Sequence, residues 1–481
     1  MQKTFIIIAS LLYFFTIRWI GLDHLSFFDY DAVKNYLIAQ EISTGNFSLL
    51  FHHGAPLMHL FHALEYIIVK DYILFIPAIF ESIGIILIIF TLHSTLKASN
   101  TFFLIFSLLI AGSSFLMVNV GRYFSLEPYS LFFFALWFVA YVKRDKESST
   151  HLWILGLLIL INYKMCILLP FCILHDFITD KKTFSFKTTY TYLIPAWIIP
   201  FTMTLAYFAS LPVFSYLKTI IAMFFLRSET SLNTNTLFTF SVSFYTQYLI
   251  QFEHPLVFIG LLSALFRLFL WINEKKVDTK YLIHYSLPVF VFFIMALLPP
   301  APRGIMVIIP FSAVFSSLLL YEFTIRFSEY KYLIYISLIL SLSYPIYILV
   351  ENTYTKSSSG YSEVTDYINL NKVDTLYTTS SIGIQPYLSK TIVTPIVLEK
   401  DYASIPDSSF VLVDAEALAN GWKSLPEGNC LISKSNPTAS QVMLALENAE
   451  YAGLNFSEAL KANKKISYLK NLQLCIIKKG D

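Results

Sequence analysis

The feature that most constrains this chain is a succession of apolar runs, each about as long as a bilayer is thick, that fills residues 1–350. About 20 apolar residues in a helix cross the hydrocarbon core of a membrane. Runs of that kind fall near residues 4–20, 72–92, 101–120, 126–142, 152–162, 165–178, 189–210, 255–272, 282–299, 304–322 and 331–350. They predict a polytopic α-helical membrane protein with about eleven transmembrane helices. The runs at 152–162 and 165–178 are short, as in helices that cross thin, protein-buried parts of a fold. No small-residue cleavage site follows the first run, which reads as an anchor rather than a signal peptide.

Composition agrees. Charged residues make up 14% of the chain and hydrophobic ones 56%, against about 25% charge in a soluble protein. The shortage of charge is confined to residues 1–350; residues 351–481 have ordinary polar composition. That shift sets a domain boundary between a membrane domain, 1–350, and a small soluble domain, 351–481. The 45 Phe and 31 Tyr suit lipid-facing surfaces and interfacial belts. A net charge of +2 gives no reason to expect a nucleic-acid partner.

Basic residues orient the bundle. With the N-terminus cytoplasmic, the inside loops hold Lys97, Lys143, Arg144, Lys146, Lys181, Lys182, Lys187, Lys275, Lys276, Lys280, Arg326 and Lys331. The outside loops are poorer in Lys and Arg, and an odd number of spans places the tail outside. The frequent Ile, Lys and Asn and the lack of an organelle signal point to a bacterial inner membrane, with the tail in the periplasm.

Two outside loops are long. The first, 21–71, contains helix-like stretches at 31–43 and 56–69, the second opening on Pro56 and lying in the interface. The second, 211–254, holds a helix-like stretch at 213–226 and then the polar tract SETSLNTNT, read as mobile. In the tail, DTLYTTS, KTIVTPIVL, SFVLVDA and LQLCIIKK read as strands. SEVTDYINL and TASQVMLALENAEYA read as helices. A small α/β domain follows. Cys430 and Cys475 lie in it and are able to pair in an oxidising compartment; two reduced, buried thiols are the equal alternative. Cys166 and Cys172 read as packing residues.

The polar residues gather at one membrane face. Asp29, Asp31, Tyr36, His52, His53, His59 and His62 lie in the first outside loop, Arg122 and Glu127 in the next, Lys164 in a turn between two short runs, and Arg303 in PPAPRG. An ionisable group at the edge of an apolar bundle is costly unless it is used. Acids beside Lys and Arg suit a substrate with a hydroxyl to deprotonate and a phosphate to hold. Each has a plainer reading: Asp31 as a helix cap, Glu127 as an acid at a helix start, Lys164 and Arg303 as snorkelling anchors. His59 and His62, three residues apart, would need further ligands to hold a metal, and none is expected.

Several short patterns combine. Asp31, Ala39 and Gly45 match the spacing D-E-x6-A-x5-G; His53-Gly54-Ala55-Pro56-Leu57 is similar to a His/Pro-Pro-Leu element; GLLILINYK, ending at Lys164, is similar to a G-L-x4-K pattern but has six residues where that has four; and Arg303 stands beside a Pro before a late helix. In this layout the chain resembles the C superfamily of glycosyltransferases (GT-C), within it the bacterial relatives of dolichyl-phosphate-mannose protein mannosyltransferases and the lipid A aminoarabinose transferases. The sequence departs from the pattern at Ala32, where the family carries a second acid, and at Ala55, where it carries Pro.

The resemblance implies a polyprenyl-phosphate sugar as donor, a hydroxyl-bearing acceptor (protein, lipid or glycan), inversion at the anomeric carbon, and an active site on the outer face. It implies Asp31 as general base, with Asp29 either standing in for the acid missing at Ala32 or itself the key acid, and Glu127 as a further catalytic acid. Lys164, Arg303 and Arg122 would bind the donor phosphate, with Arg122 alternatively paired to Glu127. His53, His52 and Tyr36 would contact substrate. No cofactor is expected. The alternative is a transporter or flippase of a lipid-linked molecule, which would need charged groups on both sides of the membrane midplane; the absence of an internal repeat weighs against it.

Overall fold

A computed structural model describes residues 2–22, 30–96, 100–145, 148–179, 190–225, 241–274, 281–298, 300–379, 383–388, 390–396, 398–419, 422–452, 454–467 and 473–480. Asp29 and the SETSLNTNT tract lie outside the described residues.

The membrane part is built from α1 (Gln2–Trp19), α2 (Tyr30–Ser43), α3 (Pro56–Val69), α4 (Ile76–Thr95), α5 (Thr101–Gly112), α6 (Phe115–Val120), α7 (Glu127–Val142), α8 (Thr150–Ile161), α9 (Leu168–Thr179), α10 (Ile198–Phe208), α11 (Ser215–Phe225), α12 (Val242–Phe252), α13 (Pro255–Glu274), α14 (Leu282–Ala296), α15 (Ile308–Arg326), α16 (Lys331–Ser341) and α17 (Ser343–Asn352). Among the described residues, four helical stretches are long and apolar enough to cross a membrane: Tyr72–Thr95, Pro255–Asn273, Ile308–Arg326 and one within Ser328–Leu370. Shorter apolar helices, among them α5, α7, α8 and α14, accompany them. The outward side of α13 carries Ile259, Leu262, Phe266, Phe269 and Ile272, all exposed at helical spacing. An apolar stripe of that length belongs against lipid, not water.

Inside the bundle, close helix approach replaces hydrophobic exclusion as the organising force. Gly260 shows this: a Cβ there would come within 1.9 Å of the Ser312 carbonyl oxygen, so α13 and α15 meet backbone to backbone. α1 is tied in by a buried ion pair in which Arg18 Nη2 donates to Glu81 Oε1 of α4 at 2.8 Å.

The expected runs differ from the helices in detail. The run 101–120 is two helices, because the Ser114 hydroxyl accepts from Met117 N and starts α6 afresh. The run 331–350 is likewise divided, at Leu342. The stretch 211–254 contains α12, which its polar Ser, Thr and Gln hid.

Beyond α17 come α18 (Tyr361–Leu370), β1 (Thr375–Thr378), β2 (Ile392–Pro395), β3 (Phe410–Val413), α19 (Glu416–Ala419), β4 (Ile432–Ser435), α20 (Val442–Ala452), α21 (Phe456–Ser467) and β5 (Gln473–Lys478). The sheet order is β2-β1-β3-β5-β4. β2, β1 and β3 run parallel; β5 is antiparallel to both β3 and β4. The four expected strands are present, and β4 is an addition. Cys430 and Cys475 are joined in a disulfide, with Cα atoms 5.5 Å apart. The domain packs onto the membrane part through α2: Ala32 and Val33 share an apolar cluster with Tyr361, Val364, Ile368 and Leu376.

Candidate active site

The site forms where the first loop, the Arg303 turn and the C-terminal domain converge. Asp31 sits in the first turn of α2. Arg303 lies in a short 3-10 turn, Pro302–Ile305, ahead of α15. That turn is pinned from the side, since Ala301 N–H donates to the Tyr245 hydroxyl of α12 at 3.3 Å. Arg303 Nη2 then donates to Asp31 Oδ2 at 3.0 Å. Its Nε stands 2.9 Å from Glu447 Oε2 and 3.5 Å from Glu127 Oε1. Glu447 also accepts the Arg303 backbone N–H, at 3.1 Å.

Glu127 occupies the first position of α7, before Pro128. One of its oxygens, Oε2, is buried without a hydrogen-bond partner among the described residues. On the other side of Asp31, His53 Nε2 stands 3.5 Å from Oδ1. His53 has φ +52 and Gly54 φ +65. Two successive left-handed residues reverse the chain just before α3, and the reversal carries the imidazole to Asp31. A non-glycine residue in that region is uncommon.

The neighbouring predicted residues are close in the fold. His52 stacks edge-on with His53, ring centroids 3.9 Å apart. Burial, and then the His53 ring, lowers the His52 pKa to about 3, so it is neutral. Its carbonyl oxygen accepts from His59 Nε2 at 2.9 Å. Lys164 lies in the turn Tyr163–Ile167, whose backbone start is capped by Asn162 Oδ1 accepting from Lys164 N. This turn abuts the His53 reversal, since a Cβ on Gly54 would meet the Tyr163 ring at 3.2 Å. Tyr36 is one turn along α2 and packs edge-on against Tyr66, 5.4 Å between centroids. His62 is buried between Phe124 and Tyr129, and no group of three or more metal-ligating side chains occurs among the described residues.

Arg122 differs from the rest. It is buried, and its Nη1 donates to the carbonyl oxygens of Arg18 and Ile20 at 2.9 and 2.6 Å. Those are carbonyls left open at the end of α1, where a cation is favoured. Burial lowers its pKa only to about 10, so it stays charged. Glu127, the partner proposed for Arg122 from sequence, meets Arg303 instead.

The residue that sequence reasoning missed is Glu447, buried in α20. Its only signal was an acid inside the apolar run VMLALENA, where a solvated helix face was the ordinary reading.

Taken together, a membrane-embedded helix bundle, a helical first loop carrying an acid, and a C-terminal sheet domain closing over an arginine define a fold that the chain shares with solved membrane proteins. Among the solved structures it resembles are two of ArnT from Cupriavidus metallidurans. The apo structure aligns with a TM-score of 0.52 at 11% identity, covering 82% of this chain and 86% of that one. The structure bound to undecaprenyl phosphate aligns with a TM-score of 0.53 at 10% identity, covering 86% and 93%. No protein-family model matches the chain, and no curated protein matches its sequence.

Proposed function

We propose that this protein is a glycosyltransferase that moves a sugar from a polyprenyl-phosphate donor to a hydroxyl on its acceptor. The observation that carries the reading is the Asp31–Arg303 pair, set at the junction with the C-terminal domain in a fold shared with a protein that binds undecaprenyl phosphate.

The acceptor oxygen attacks the anomeric carbon, and its proton passes to Asp31. The bond from that carbon to the phosphate oxygen breaks, the electron pair leaves on polyprenyl phosphate, and the configuration inverts. Arg303 and Lys164 hold the phosphate and offset its growing charge. A carboxylate held by an arginine is a weaker base than a free one. A donor phosphate that draws Arg303 away from Asp31 therefore frees the base only when the donor is present. Glu127 is a further acid of this site, and His52, His53 and Tyr36 line its approach. The Cys430–Cys475 bond favours a C-terminal domain in an oxidising compartment, which in a bacterial inner membrane is the periplasm, with the N-terminus cytoplasmic.

The test is a transfer assay on the full chain in lipid, with polyprenyl-phosphate sugars as donors. Release of polyprenyl phosphate that depends on an added acceptor supports the reading. Folded protein that neither binds undecaprenyl phosphate nor releases it from any donor would overturn it.

A further inference from the structure

A cavity of about 310 Å³ opens between the membrane helices and the C-terminal domain, apart from the Asp31–Arg303 cluster. Its polar lining is Ser241, Ser243 and Gln247 on one side and Asn455 and Ser457 on the other. We propose that it binds a neutral, hydroxylated sugar ring of the acceptor. The proposal rests on the transferase reading above and names the acceptor's chemical class.

Among the described residues the lining offers hydroxyls and amides and no charged side chain, a set that matches sugar hydroxyls. Phe244 and Phe456, both buried, close its apolar side. Their rings meet edge to face, 5.4 Å between centroids, and join α12 to α21 across the cavity.

The start of α21 is capped. Glu458 N–H donates to Asn455 Oδ1 at 3.1 Å and Asn455 N–H to Glu458 Oε2 at 2.9 Å, a reciprocal cap. The Glu458 carboxylate therefore already occupies the helix start and repels a second anion there. On the opposite wall, Gln247 Nε2 donates to Ser243 Oγ at 2.8 Å, one helical turn away, which orients both side chains before any ligand arrives.

Placement completes the case. Pro300 lines the cavity and stands three residues before Arg303. Phe244 lines it too, and the next residue, Tyr245, holds the Ala301 N–H of the Arg303 turn. A ring seated here lies behind the turn that carries the phosphate-binding arginine. The volume is at the lower end for small-molecule sites, which suits a sugar unit and not a whole glycolipid.

The experiment is saturation-transfer NMR on the full chain in lipid nanodiscs. The neutral probes are methyl glucoside, methyl mannoside and N-acetylglucosamine; the charged probes are glucose 1-phosphate and phosphoethanolamine. At least one neutral sugar should receive saturation. Gln247→Leu and Ser457→Trp, the second at an exposed rim position, should each weaken that binding at least tenfold. Undecaprenyl phosphate binding should be unchanged in both, which also shows that they are folded. Absence of binding by every neutral sugar, binding that the variants do not alter, or a preference for the charged probes would overturn the proposal. Failure of the wild type to bind undecaprenyl phosphate would sink the donor reading instead, and the two failures are read separately.

Discussion

Glu447 grips Arg303 twice, one carboxylate oxygen facing the guanidinium Nε at 2.9 Å and the other accepting the backbone N–H at 3.1 Å. The two residues are 144 positions apart in sequence, and the contact joins the C-terminal domain to the turn that presents the arginine. Removing one partner of a buried ion pair costs about 3–5 kcal/mol. Here Asp31 and Glu127 still hold Arg303, so Glu447→Ala should fall short of that and loosen the domain rather than unfold the bundle. Hydrogen exchange should quicken in α20 and in the 300–305 turn, and transfer should fall at least tenfold. Unchanged exchange in the turn would separate Glu447 from Arg303.

Asp31→Asn removes the proposed base and the charge that competes for Arg303. A general base supplies about 10²–10⁴-fold in rate, and transfer should fall by that factor. Undecaprenyl phosphate should bind as well as before or more tightly, because Arg303 is released to it. Full transfer activity in the variant would remove Asp31 from the mechanism, and weakened binding would contradict the competition.

Much of this was legible in sequence because the bilayer dictates helix length. The runs that became α1, α4, α7, α13 and α15 are apolar for a reason that acts within each segment. What was not legible depends on partners far along the chain. Glu447 looks like any acid on a helix until the fold brings Arg303 to it. Arg122 looks like its neighbours at the site, yet the end of α1 claims it, and nothing in GRYFSLEP announces carbonyls about 100 residues away. β4, with the sequence ISKS, becomes a strand only because β5 offers it an edge.

Gly54 tests the reversal that carries His53. Its φ of +65 already disfavours any other residue, and a Cβ would press on Tyr163 at 3.2 Å and Ile220 at 3.4 Å. A left-handed conformation costs an L-residue about 1–2 kcal/mol, before that contact is counted. Gly54→Ala should lower the thermal midpoint and reduce transfer, while Gly45→Ala, where nothing lies within 4 Å, should affect stability through its φ alone. Equal transfer in both variants would show that the reversal does not position the site.

His52 gives the loop a pH dependence of known sign. Its folded pKa is lowered to about 3, against about 6.5 in an unfolded chain. Between those values the unfolded state binds the proton and the folded state does not, so stability present above pH 6.5 is lost progressively as pH falls towards 3. The thermal midpoint of the wild type should drop between pH 7 and pH 4 by more than that of His52→Gln. Parallel curves for the two proteins would mean that His52 titrates normally.

The Cys430–Cys475 bond makes the last prediction, and it bears on which side of the membrane the sheet lies. The bond closes a segment of 45 residues that contains β4, α20 and α21. Through α20 it therefore restrains the helix that carries Glu447. Cross-links of this size stabilise by about 2–4 kcal/mol, chiefly by limiting the unfolded chain. Cys475→Ser should destabilise the C-terminal domain by that amount and lower its unfolding midpoint, leave the membrane helices intact, and open α20 to protease sooner than the bundle. In native membranes Cys430 and Cys475 should resist maleimide until a reductant is added, as expected of a domain in an oxidising compartment. Ready labelling without reductant would place the sheet on the reducing side and reverse the orientation proposed for the chain.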